Sequence, residues 1–233
     1  MYLLIADGSP ALAQSFITQG LDEIPTKYEF VAHCVTKHGD WAMALSHSPT
    51  SRCTSVFWSV DERIDSDLLL AEVGAFQDFA FHPMLVPCVM FAATLEIGIK
   101  RRHSIKQKLR VLESGTHRLI QQGAQSSIND HRGYGRLHEA SASIETLFEL
   151  LGSCRREQAS REGRYHFWSS YHDVLVEGFK YAEQALTYVP PDLFIKAHLG
   201  LQQWTAITWR KFESLKARDV DHVARVDNVS DMV

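Results

Sequence analysis

Phe79–Ile99 reads FAFHPMLVPCVMFAATLEIGI and runs directly into the basic cluster Lys100, Arg101, Arg102 and His103. Its reading decides the fold: it is either a membrane span or the opening of the longest helix in the chain. A spanning helix needs about 20 mostly apolar residues, because the hydrocarbon core is ~30 Å thick. The segment approaches that length, and the trailing Lys and Arg fit a stop-transfer flank. Against a span, His82, Pro83 and Pro87 interrupt its start, and Glu96 stands near its end. The clean part, Pro87 to Leu95, is too short to cross, and an ionised Glu96 would cost a few kcal/mol inside the bilayer unless paired. A helix opened by proline and buried in a protein core accounts for the same residues, since proline suits the first turn. The expectation is a buried helix, with membrane association through Phe79–Ile99 as an alternative.

Composition agrees with a globular chain. It has 233 residues, 45% of them hydrophobic and 22% charged, ordinary values for a folded protein. A net charge of -4 provides no field to attract nucleic acid or an anionic membrane, so no nucleic-acid partner is expected. Cys34, Cys53, Cys88 and Cys154 are widely separated and form no CxxC pair. With no signal peptide at the start, they suggest reduced thiols and a cytoplasmic location.

Upstream of the decisive segment, Tyr2–Ala6, Tyr28–Val35 and Thr54–Val60 are rich in β-branched and aromatic residues and are bounded by turn formers, as strands are. Between the first two, Pro10–Gln19 reads as a short helix capped by Ser9 and stopped by Gly20. Asp65, Ser66 or Asp67 would cap another helix through Leu68, Leu69, Leu70 and Val73. Residues 1–78 are therefore expected to form a small α+β unit.

Downstream, residues 79–233 read as long antiparallel helices, continuous with that unit in one structural domain. The first runs from Pro87 to about Gln122, with Leu95, Ile99, Ile105, Leu109, Leu112, Leu119 and Ile120 at helical spacing and Gly115 as a possible interruption. Gly123–Gly135 is polar and glycine-rich, a loop. A second helix, from Leu137 to about Arg161, carries Leu137, Ala140, Ile144, Leu147, Leu151 and Cys154 as a coiled-coil-like seam. A third runs from Trp168 to about Tyr188 and is stopped by Pro190-Pro191. A fourth, opened by Asp192, carries Ile195, Leu199, Gln202, Ala206, Trp209, Phe212 and Leu215 on one face. The fold class is α+β, predominantly α.

No segment carries an assembled chemistry. The 12 histidines contain no HExxH, and no cysteine pair stands at zinc-ligand spacing. His33, Cys34 and His38 would share a strand end and the following turn, and His166 and His172 would face different sides of a helix. There is no GxSxG elbow, Cys88 and Cys154 sit on apolar helix faces where thiols pack inertly, and Gly133-Tyr-Gly135 is not a dinucleotide loop. No catalytic, cofactor-binding or metal-binding residue is assigned. The candidates for partner contact are the basic residues Lys100, Arg101, Arg102 and Lys106, whose plainer reading is a solvated helix face, and Trp204 and Trp209, whose plainer reading is core.

The order of features from His82 onward resembles the cytosolic portion of fungal CorA-like proteins, relatives of the magnesium transporters. The likeness rests on His82-Pro-Met-Leu-Val-Pro, the element from Glu96 to His103, a glycine-rich gap and a long amphipathic helix. It continues through Leu199-Gly-Leu-Gln-Gln and ends with Ala217-Arg-Asp, Ala224-Arg, Asp227 and Asp231-Met232. In such proteins the last segment leads into two transmembrane helices, whereas this chain stops at Val233 and contains no GMN triplet. The resemblance therefore implies a stand-alone form with the architecture of the cytosolic portion and without transport, since a pore needs spanning segments.

The function expected is that of a helical protein, leaning non-enzymatic, that self-associates or binds a protein partner through its apolar stripes. The alternative is an enzyme or accessory protein of fungal secondary metabolism with a pocket lined by Trp168, Tyr171, Trp204 and Trp209.

Overall fold

The computed structural model describes residues 11–20, 24–34, 40–60, 65–126 and 133–232. Four strands come first: β1 (Ala11–Gln19), β2 (Pro25–Cys34), β3 (Trp41–Ser48) and β4 (Cys53–Val60). Helix α1 (Ser66–Ala75), a 3-10 turn (Gln77–Phe79) and the long helices α2 (Leu85–Ser126), α3 (Gly133–Ala185) and α4 (Pro191–Met232) follow. The fold is α+β and mostly α, as the sequence implies. The strand expected at Tyr2–Ala6 and the position of His38 lie outside the described residues.

The chain forms two compact units: Met1–Glu96 with Gly163–Phe212, and Ile97–Glu162 with Glu213–Val233. In the first, the strands make an antiparallel meander in the order β1-β2-β3-β4. Side chains alternate across a strand, so Tyr28, Phe30, Ala32 and Cys34 of β2 share a face with their register partners His47, Leu45, Met43 and Trp41 of β3. All eight are buried. The α3 aromatics cover them: Tyr171 meets Phe30 edge-on at 5.3 Å, Phe167 meets Trp41 at 5.7 Å and Tyr181 stacks on Tyr28 at 4.9 Å.

Two strand readings change. Where a helix was expected, Ala11–Gln19 is a strand: it pairs along its whole length with β2, from Ala11 opposite Cys34 to Gln19 opposite Pro25. Phe16, Ile17 and Thr18 favour a pleated surface, and the ladder outweighs the weak helix preference of Ala and Gln. Trp41–Ser48 was not anticipated as a strand, because Ala, Met and Ser give it little β-propensity, yet it holds the centre of the sheet with neighbours on both sides.

The helices follow their caps. Asp65 caps α1, its Oδ1 accepting from the backbone N–H groups of Asp67 at 3.1 Å and Leu68 at 3.0 Å. Helix α2 opens at Leu85, which places Pro87 in its first turn, as the proline argument requires. The two helices expected between Leu137 and Tyr188 are one, Gly133–Ala185. A single glycine such as Gly163 costs only ~1 kcal/mol inside a helix, too little to break one. Helix α4 starts at Pro191, a residue earlier than the expected Asp192, with proline in the first position and the Phe194 N–H donating to the Pro190 carbonyl at 2.9 Å.

The second unit is held by Leu109 and Leu112 of α2, Leu147, Leu151 and Cys154 of α3, and Val226 of α4. Gly115 does not interrupt α2; it makes room for Leu147, whose Cδ2 would stand 2.8 Å from a Cβ there. The Arg225 guanidinium donates to both carboxylate oxygens of Glu113, at 2.8 and 2.7 Å. Among the described residues, no helix is long and apolar enough to cross a membrane.

Candidate functional site

The polar interior of the first unit is organised by the turn that precedes α2. Pro83 disfavours helical backbone at His82, so the chain turns there before the helix begins. The His82 N–H donates to the Phe79 carbonyl at 2.8 Å and the Leu85 N–H to the His82 carbonyl at 3.1 Å. The ring of His82 folds back on the turn, its Nδ1 accepting from the Met84 N–H at 3.2 Å.

That one bond fixes every proton in a relay running outward from the turn. A backbone N–H can only donate, so His82 Nδ1 is bare and the ring proton sits on Nε2. His82 Nε2 therefore donates to His198 Nδ1, 3.1 Å away on α4. His198 in turn carries its proton on Nε2, which points at Glu183 Oε1 on α3 at 3.1 Å. The terminal amide of Gln202 lies 2.8 Å from the same nitrogen. Since that nitrogen already bears hydrogen, the bond is consistent only with the amide turned to present its oxygen.

Both rings are nearly inaccessible, His82 at 1% and His198 at 5%, while Glu183 is exposed at the outer end. Phe194 stacks on His82 at 6.2 Å, and Phe179 packs beside both rings, at 5.9 and 5.4 Å. Burial, reinforced by the neighbouring His198 and His47, lowers the His82 pKa to about 3, so the ring is neutral at any ordinary pH.

A third buried histidine stands nearby on β3. His47 Nδ1 is 2.8 Å from the Tyr181 hydroxyl, which also reaches the His47 carbonyl at 3.5 Å. Among the described residues, His47 Nε2 is buried without a hydrogen-bond partner. A bare lone pair costs less there than an orphaned N–H, so the proton belongs on Nδ1, donated to Tyr181, whose own hydrogen goes to the carbonyl. Desolvation lowers the His47 pKa to about 4. The Met84 side chain and the Tyr28 hydroxyl both border Gly178 of α3, leaving no space for a side chain there.

The aromatic residues considered for a pocket are packed into layers. Trp168 and Tyr171 are buried, Tyr171 lies flat on Phe91 at 5.5 Å, and its hydroxyl donates to the Pro87 carbonyl at 3.0 Å. Trp204 stacks on Phe76 at 4.9 Å and Trp209 on His172 at 4.1 Å; both are half-buried. Cys88, buried beside the Thr205 hydroxyl at 3.2 Å, has its thiol pushed up to about 12 by desolvation. That is inert packing rather than a nucleophile.

Of the basic candidates, Lys106 is exposed on α2 in the second unit, and the side chains of Lys100, Arg101 and Arg102 lie outside the described residues. A shallow groove in that unit is lined by Phe148, Glu149, Gly152 and Arg156, among others, all from α3. One helix cannot enclose a ligand. Among the described residues, no three His, Cys, Asp or Glu side chains are placed to hold a metal ion.

Chemically, the relay is closed at its inner end. Its last acceptor is occupied by a backbone N–H, and the relay fastens the turn, α3 and α4 together. Sequence reading located the His82-Pro83 turn but not its partners: His198 is 116 residues away, and no local pattern links them. No family model, no curated protein and no solved structure matches the chain.

Proposed function

We propose that this is a non-catalytic helical protein of the cytoplasm that acts by self-association through α4. The observation that supports the reading is an apolar stripe left uncovered. Within the first unit, α4 buries Ala197, Leu201, Thr205, Thr208 and Phe212. Ile195, Leu199 and Ala206 lie at helical spacing on another side and are exposed, Ile195 at 51% and Leu199 at 49%. With half-buried Gln202 and Trp209 they repeat at alternating intervals of four and three, the spacing at which one helix packs along another. The same helix on a second copy offers a matching, uncharged seam, which suits a two-fold interface. The likeness to the cytosolic portion of CorA-like proteins fits this reading, as a source of long helices following a β-containing unit.

Leu199→Cys in a Cys53→Ser background tests the contact. Oxidation of this variant, and of Ile195→Cys and Ala206→Cys in the same background, should give a disulfide-linked dimer of the full chain at the position nearest the two-fold axis, where a residue faces its own copy. Three products that all stay monomeric under oxidation would remove α4 as the interface.

A further inference from the structure

We propose that the His82–His198 relay is an acid-sensitive latch, in which one added proton releases the 80–84 turn and the start of α2 from α3 and α4 while the sheet stays folded. The argument is one of donor and acceptor count. Every acceptor nitrogen in the relay is already engaged: His82 Nδ1 by the Met84 N–H, and His198 Nδ1 by His82 Nε2. A proton added at His82 Nδ1 faces the Met84 N–H. A proton added at His198 Nδ1 faces the His82 N–H, and the His82 ring can accept it only by moving its own hydrogen to Nδ1, against Met84. Either route sets two donors against each other at about 3 Å, a contact that cannot survive burial.

The groups facing the latch do not rescue the charged form. From β3 comes His47, itself held neutral by burial, and from β2 the Tyr28 hydroxyl, which with Met84 borders Gly178. From α3 come Glu183 and the Tyr181 hydroxyl. Glu183 reaches only the outer nitrogen of His198, and Tyr181 is committed to His47. From α4 come His198 and the neutral Gln202. Among the described residues, the inner histidine thus has no carboxylate within bonding distance. The cheapest response to acid is for the turn to lift, hydrating His82 and withdrawing Met84 from its seat on Gly178. The strands need not open, because their ladder bonds do not pass through the turn.

Amide hydrogen exchange on the full chain between pH 8 and pH 5 tests this. Once the open turn exposes His82 at its ordinary pKa, the protection of the Met84 amide should fall about tenfold per pH unit below ~6.5. Throughout, the β2 and β3 amides of Phe30 and Leu45 should stay more protected than Met84, which marks a local opening. In a His82→Gln, His198→Gln double variant the steep pH dependence should vanish, and His166→Gln, an exposed control, should keep it. The latch is overturned by Met84 protection that does not change with pH, or that equals that of Leu45 at every pH. A double variant that folds and retains the slope overturns it equally.

Discussion

Gly178 on α3 and Met84 at the mouth of α2 approach so closely that a single methyl group on Gly178 would collide with the Met84 sulfur. The Tyr28 hydroxyl would also stand 2.9 Å from that methyl, so three elements converge on one missing side chain. Gly178→Ala should destabilise the protein by about 1–3 kcal/mol through overpacking, despite the better helix propensity of alanine. Chemical denaturation checks this; a stabilised Gly178→Ala protein would mean that the close approach is absent.

Stability should fall on mild acidification. His82 and His47 have folded pKa values lowered by burial to about 3 and about 4, against ~6.5 in the unfolded chain. The unfolded state therefore binds more protons below pH ~6.5. The contribution of each ring is complete above that pH and is lost progressively as the pH falls toward the folded values, at up to about 1.4 kcal/mol per pH unit per ring. Urea unfolding at pH 7.5, 6 and 5 measures it, and His82→Gln should flatten the profile.

Tyr181→Phe should cost about 1–3 kcal/mol, because it leaves the buried His47 Nδ1 without its partner while Nε2 is already unsatisfied. Thermal unfolding of this variant beside Tyr188→Phe, whose half-buried ring lies under Arg52 at 5.0 Å, separates the hydrogen bond from the general effect of losing a hydroxyl.

The Arg225–Glu113 fork is half-exposed, and solvent screens such pairs, so Arg225→Ala should cost no more than about 1 kcal/mol. The loss should shrink in 1 M salt, where the Debye length is ~3 Å. A much larger loss would assign the residue a packing role instead.

What the sequence made legible was local. Pro87 in a first turn and a cap among Asp65, Ser66 and Asp67 each depend on a few neighbouring residues, and both appear in the structure, whereas α3 ends at Ala185, short of the stop expected at Pro190-Pro191. Where a ladder decides, local propensity misleads: β1 contains Ala and Gln yet pairs with β2, and β3 has little β-propensity yet sits mid-sheet. The gap expected between the helix ending near Arg161 and the one opening at Trp168 is helical, because a lone glycine there costs too little to break a helix. The histidine relay was out of reach for a third reason. Its members come from a turn, α3 and α4, and only the folded chain puts His82 beside His198 and Glu183.

The most direct test of the central claim is the molar mass of the full chain by light scattering across a concentration series, alone and as an Ile195→Asp, Leu199→Asp variant. Self-association through α4 predicts a mass at least twice the 26.4 kDa of one chain at high concentration, reverting to 26.4 kDa in the variant with helix content unchanged. A wild-type mass of 26.4 kDa at every concentration would contradict it.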